Sequence, residues 1–265
     1  MPIITISRGT FSGGRDIAEC LAERLGYPCV SREVIVEAAQ EYGVPVNELT
    51  EAISRPPSFW QQLTGERASY VDYFRAALCE RARGTELVYH GYAGHLLLRG
   101  ISHVIRVRVI ADMEYRVGAA MARMGLGRKE AIAYIKKVDE DRVRWTRFLY
   151  GVDWHDASLY DVVINLERVS VQGACDILVH MAGLPEFQAT PESLRAAADL
   201  ALGCHVRAVL ARDPRTRGAD VKVSASGGVV TITGSTRLEE VVEAIPLVAG
   251  QVGGISEIRC EVSLG

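Results

Sequence analysis

The chain has 265 residues, 48% hydrophobic and 24% charged, with a formal net charge of −3 at pH 7. That balance leaves no global basic field to attract nucleic acid, and no apolar run approaches the roughly 20 residues a membrane-spanning helix requires. Six scattered cysteines, with no C-x-x-C pair and no zinc-type spacing, argue against a disulfide framework or structural zinc. They fit a reducing compartment. MPIITISRG shows no basic leader followed by an apolar core, so the expected location is cytoplasmic.

In chain order, the apolar strand Ile3–Ile6 runs into a glycine-bearing loop that opens an amphipathic helix. The helix carries Ile17, Ala18, Leu21, Ala22 and Leu25 at helical spacing and stops at Gly26. Gly9 and Gly14 stand at the spacing of a phosphate-binding G-x-x-x-x-G-K-[ST] loop, but Arg15 and Asp16 follow where the motif has lysine and a hydroxyl residue. Successive backbone N–H groups and a helix N-terminus then face one spot, which suits an anion such as a nucleotide phosphate. Arg15 offers a planar fork in place of a compact ammonium. Asp16 suits either magnesium ligation or the helix dipole. A ligand-free tight turn is the plainer reading of the same glycines.

Further strands are expected at Pro28–Val30, Leu87–Tyr89, Val104–Ile110 and Val162–Asn165, separated by helical stretches. Such alternation implies a mainly parallel sheet covered on both faces. His90 and His95 in HGYAGH belong to no wider His/Cys cluster, so they read as core and helix-start residues and no metal site of protein ligands is expected. The stretch Asp141 to Arg147 reads either as a closing lid with mobile arginines or as a solvated face whose Arg142 and Arg144 pair with acidic neighbours. Asp153-Trp154-His155-Asp156 reads as Asx turns around a buried tryptophan.

Near residue 185 the texture changes. Gly183-Leu184-Pro185 and Gln188-Ala189-Thr190-Pro191 look like a linker. Beyond it the pattern predicts a helix (Pro191–Arg212), a strand (Asp220–Ser226), a strand (Val229–Thr233), a helix (Leu238–Ala249) and a strand (Glu257–Ser263). Gly227-Gly228 between the first two strands is a hairpin signal, because such turns need positive φ. The expected organisation is a first domain over 1–184, a linker over 185–192 and a small αββαβ domain over 193–265.

The blocks ITISRGTFSGGRDIAECLAERLGY, SREVIVEAA, YHGYAGHLLLRG, VRVIADMEYRV and KKVDEDRVRWTRFLYGVDWHDASLYDVVIN together make residues 1–182 resemble the cytidylate kinase-like family. The resemblance implies an α/β P-loop kinase-like fold with a five-stranded parallel sheet flanked by helices. It also implies transfer of the ATP γ-phosphoryl group to a nucleoside monophosphate, CMP or dCMP first among them, with Mg²⁺. On that resemblance Gly9, Thr10, Ser12, Gly13, Gly14, Arg15 and Asp16 hold the donor. Arg32 meets the acceptor phosphate, and Arg116 stands at a position usually kept basic. Arg142, Arg144 and Arg147, with Arg15, act on the transferring group, and Asp153 and Asp156 contact the base or stabilise the lid. Two departures stand out: Arg15 replaces a lysine, and Gly91-Tyr92-Ala93 replaces a Gly-Arg-Asp turn.

From Ser193, VRAVLARDPRTRGADVKVSASGGVVTITGSTRLEEVVEAIPLVAGQVGGISEIRCEVS resembles a BON domain. That implies a docking module for a phospholipid surface, a small ligand or a protein partner. A nucleotide-binding regulatory protein with this module as its output is the alternative to an enzyme.

Overall fold

The computed structural model describes residues 1–54, 69–91 and 93–265, so Tyr92 of the Gly91-Tyr92-Ala93 turn lies outside the described residues. β1 (Ile3–Arg8) is the central strand of a five-stranded sheet. β2 (Cys29–Val30), β3 (Leu87–His90), β4 (Val104–Ile110) and β5 (Val162–Asn165) complete it in the order β2-β3-β1-β4-β5, all pairs parallel. Ile3, Ile4 and Ile6 are buried because helices cover both faces of a parallel sheet. Ile6→Ala would empty part of this core at a cost of about 2–5 kcal/mol.

α1 (Gly14–Leu25) follows β1 and ends at Gly26, whose φ of 72° gives the left-handed cap that glycine adopts without a Cβ clash. Its apolar stripe of Ile17, Ala18 and Leu21 packs with Ala174, Cys175 and Leu178 of α8 (Val171–Ala182). The short α5 (Gly94–Leu97) follows β3. α6 (Met113–Met124) is capped by Asp112, which accepts the Tyr115 N–H, and the long α7 (Arg128–Tyr150) follows. These elements belong to one compact unit, Met1–Arg32 with Thr85–Thr190.

The second compact unit gathers Glu33–Ile53, residues 69–84 and Pro191–Gly265. It contains α2 (Glu33–Tyr42), α3 (Val46–Ser54), α4 (Tyr70–Arg81) and α9 (Pro191–Arg212). Beyond α9 come β6 (Asp220–Ser226), β7 (Val229–Thr236), α10 (Glu239–Ala249) and β8 (Glu257–Leu264), the expected αββαβ order. β6 and β7 form an antiparallel hairpin around Gly227 and Gly228, which have φ of 58° and 83°, and β8 adds parallel to β7. Val206, Leu210, Val221, Val230, Ile232, Ile245 and Val248 fill the core beneath this sheet. In the helical part of the unit, Tyr42 stacks on Tyr73 with ring centroids 4.4 Å apart.

Candidate active site

The loop from Gly9 to Gly13 joins β1 to α1 and is tightly built. Gly13 sits at φ 82°, and a Cβ there would come within 2.6 Å of Leu166 Cδ1. A Cβ on Gly14 would come within 2.7 Å of the Arg8 side chain. Phe11 is held at φ 59°, a conformation non-glycine residues rarely adopt, and packs beside Val117, Ala120, Ala131 and Ile135. Ser12 Oγ lies 2.9 Å from the Gly9 carbonyl and 3.1 Å from the Val109 carbonyl and donates into that pair, tying the loop to β4. Gly13 gives α1 no side-chain cap, whereas α6 and α8 are capped by Asp112 and Ser170. The first-turn N–H groups of α1 are therefore the kind a ligand satisfies.

One anion already touches this loop. Asp139, on α7, accepts the Thr10 backbone N–H at 3.0 Å and the Thr10 hydroxyl at 2.7 Å, both through Oδ1. Arg116, on α6, donates Nε to the Thr10 carbonyl at 2.8 Å and pairs through Nη2 with Asp139 Oδ2. Arg142 donates Nη1 to the Arg8 carbonyl at 2.8 Å and lies 3.8 Å from Asp139. Two cations and one carboxylate thus surround the first turn of the loop, and both cations are oriented by main-chain oxygens of the loop strand. A cavity of about 560 Å³ opens beside Asp139 and is also lined by Met113, Lys136, Arg144 and His155.

The other expected site residues lie as follows. Arg15 is exposed and donates Nε to Glu19 at 2.7 Å, one helical turn along α1. Asp16 accepts Arg123 Nη2 at 2.7 and 2.9 Å. Arg144 pairs with Asp141 at 2.6 Å, and Arg147 is exposed. Arg32 is exposed just beyond β2. Asp153 accepts the His155 N–H at 2.9 Å, and Asp156 caps a 3₁₀ turn at Ala157–Leu159 by accepting the Ser158 N–H at 2.9 Å, with Trp154 buried between them. The Asp153 carboxyl is held below the usual range, chiefly by that His155 backbone N–H. The structure therefore groups Gly9, Thr10, Ser12, Gly13, Gly14, Arg116 and Arg142 around one loop. Arg15, Asp16, Arg144, Asp153 and Asp156 are bonded to neighbours of their own.

A second polar cluster lies beside β1. Arg108, 6% exposed, donates Nη1 to the Trp154 carbonyl at 2.6 Å and to the Tyr160 hydroxyl at 3.2 Å. Its guanidinium lies 4.3 Å from the Trp154 ring centroid, so aromatic faces stand in for a carboxylate. Trp154 Nε1 donates to Ser7 Oγ at 2.8 Å. His95 packs against the Tyr160 ring at 4.8 Å. Burial, and then the charges of Arg108 and Arg106, push the His95 pKa down to about 3. Burial also raises the Tyr160 hydroxyl, against its hydrogen bond with Ser7 and the charge of Arg108.

Asp139 and Arg108 were not singled out from sequence. Asp139 stands three residues before Arg142, a spacing that places both on one helix face, and this is the only local signal it carries. Arg108 shows in sequence only its alternation with Arg106 along β4.

A family model described as the cytidylate kinase-like family matches residues 3–168, and a BON domain model matches residues 198–265. The cytidylate kinase of Ignicoccus hospitalis is 27% identical over 184 residues, covering 68% of this chain and 99% of that protein. The cytidylate kinase of Pyrobaculum aerophilum is 26% identical over 178 residues, covering 67% of this chain and 90% of that protein. A crystal structure of an uncharacterized protein from Eubacterium ventriosum superimposes with a TM-score of 0.55 at 22% identity, covering 69% of this chain and 98% of that one. No helix among the described residues is long and apolar enough to cross a membrane.

Proposed function

The chain belongs to the cytidylate kinase-like family, carrying a BON domain after it, and from that premise we propose that it transfers the ATP γ-phosphoryl group to a nucleoside monophosphate, CMP or dCMP first. The observation that carries this reading is the Thr10–Asp139–Arg116 arrangement. A loop N–H and hydroxyl already donate to an anionic oxygen, with a guanidinium beside it. The donor set fits a polyphosphate, because the loop offers N–H donors and flanking cations while its own side chains are small or tied down.

In this reading Gly9, Thr10, Ser12, Gly13 and Gly14 form the donor cradle, and Arg116 and Arg142 neutralise charge beside it. Phosphoryl transfer asks the protein mainly for positioning and charge neutralisation, and Mg²⁺, when bound, supplies part of that neutralisation on the phosphate oxygens. Asp139, which bonds the loop, and Asp16, in the first turn of α1, are the residues that would hold the metal. Arg15 reaches the donor phosphates by leaving Glu19, an exposed i,i+4 pair worth little when broken. Arg144 and Arg147 close over the transferring group from α7, Arg32 takes the acceptor phosphate, and Asp153 and Asp156 shape the acceptor side. Residues 1–184 carry the chemistry, and residues 193–265 dock to a phospholipid surface, a small ligand or a protein.

The test is product identification with Mg·ATP and CMP. Equal amounts of CDP and ADP are expected, and formation of neither overturns the reading. The pairing of Arg15 with Glu19 favours one second reading, a nucleotide-binding regulator without turnover. Calorimetric binding of Mg·ATP with no product would favour that regulator.

A further inference from the structure

We propose that Cys79 on α4 and Cys204 on α9 are the site of a reversible disulfide that staples these two helices together. Their Sγ atoms stand 3.3 Å apart, although the residues are 125 positions apart in the chain. A disulfide bond is about 2.05 Å long, so side-chain rotation covers most of the remaining gap.

The helices are held in an antiparallel register that keeps the pair opposed. Ser69 Oγ donates to the Ala211 carbonyl at 2.9 Å, and Asp72 pairs with Arg207 at 3.2 Å. Cys79 and Cys204 lie further along the same pairing. The α4 numbers rise as the α9 numbers fall, so the contact belongs to the packing of two antiparallel helices.

The two thiols are unequal, as a reactive pair must be. Cys204 is partly exposed and Cys79 is buried. The contact with Cys79, helped by the charge of Arg75, holds the Cys204 thiol below its ordinary value, against burial. The same contact, together with burial, pushes Cys79 up. Cys204, the more exposed of the two, is the first nucleophile and the buried Cys79 the resolving thiol.

With hydrogen peroxide as oxidant the chemistry balances. The Cys204 thiolate attacks one peroxide oxygen, the O–O bond breaks, and a sulfenic acid and one water result after proton uptake. Cys79 then attacks Cys204 Sγ. The S–S bond forms, the S–O bond breaks, and the Cys79 proton leaves with the hydroxyl as a second water. Two thiols are oxidised by two electrons and the hydrogen peroxide is reduced by two. A dithiol reverses the step by exchange.

The bond would join a helix within the cytidylate kinase-like match to the helix on which the BON match begins. The pair Cys20 and Cys175 provides an internal comparison. Cys175 is buried and its thiol is pushed up to about 12, chiefly by burial, and the 3.3 Å approach of Cys79 and Cys204 is the contact expected to close first.

The test uses the full chain, reduced and then treated with stoichiometric hydrogen peroxide. Non-reducing peptide mapping should show Cys79 joined to Cys204 before any other linkage. The unfolding midpoint should rise by roughly 5 °C and return with dithiothreitol. Cys204→Ser should abolish the linkage and the shift. Cys79→Ala should leave a Cys204 sulfenic acid that dimedone traps. First linkage of Cys20 to Cys175, or Cys204 passing to sulfinic acid with Cys79 still a free thiol, would overturn the proposal.

Discussion

The Asp139 carboxylate accepts both the backbone N–H and the hydroxyl of Thr10, and Arg116 closes the triangle by bonding the Thr10 carbonyl and Asp139 together. The Gly9–Gly13 loop thus carries an internal anion supplied from 129 positions along the chain. A phosphate that takes the same N–H must displace this carboxylate or share a cation with it.

Asp139→Asn tests that relationship. The amide oxygen still accepts from Thr10, but the negative charge beside the loop is gone and Arg116 loses its ion pair. ATP binding without magnesium is expected to tighten several-fold while kcat falls about tenfold, because Arg116 loses its ion pair and the carboxylate proposed to hold the metal is gone. Calorimetry and steady-state kinetics on the same preparation check the split. Weaker ATP binding with kcat unchanged would contradict it.

Arg15 makes an exposed pair with Glu19, so its removal should barely touch stability. Arg15→Ala is expected to change unfolding free energy by no more than about 0.5 kcal/mol. If Arg15 reaches the donor phosphates during turnover, kcat falls about tenfold or more in that variant. An unchanged kcat removes Arg15 from the mechanism.

His95 predicts an acid-sensitive fold. Burial, with Arg108 and Arg106 behind it, lowers its pKa in the folded state to about 3. The unfolded chain therefore binds the proton first as pH falls. The contribution from neutral His95 is fully present above the unfolded value, near 6.5, and is lost progressively as pH drops toward 3. The slope should approach about 1.4 kcal/mol per pH unit below pH 6. Denaturant unfolding at pH 7, 6, 5 and 4 should show this slope, and His95→Phe should flatten it.

Gly234 in β7 has φ 146°, and a Cβ there would stand 2.1 Å from the Asp220 carbonyl oxygen. The clash is with backbone across the β6–β7 pair, so no side chain can yield. Gly234→Ala should destabilise the C-terminal unit by about 3 kcal/mol. Gly253→Ala, where nothing lies within 4 Å, should leave the melting curve nearly unchanged.

Much of the fold was legible because it rests on local rules. Apolar β1, β3, β4 and β5 stand where their hydrophobic runs predict them, α1 stops at Gly26, and the Gly227-Gly228 hairpin forms as its turn chemistry demands. The Asx-turn reading of Asp153 to Asp156 around Trp154 also matches the observed hydrogen bonds. Asp139 was not legible, since its partner Thr10 is brought near only by the packing of α7 against the loop. Arg108 shows in sequence only its alternation with Arg106 along β4, and only the arrival of Trp154 and Tyr160 from a distant loop makes its burial tolerable. The gathering of Glu33–Ile53 and residues 69–84 with Pro191–Gly265 is likewise a long-range outcome that no local periodicity encodes.

The most direct measurement is a coupled ADP-release assay with Mg·ATP against CMP, dCMP, UMP, AMP and GMP, run on the wild-type chain and on Arg116→Ala. Acceptor-dependent turnover with a pyrimidine monophosphate, reduced about tenfold or more in the variant, is the predicted result. ADP release that no acceptor stimulates above the ATP-only rate would contradict phosphoryl transfer at this loop.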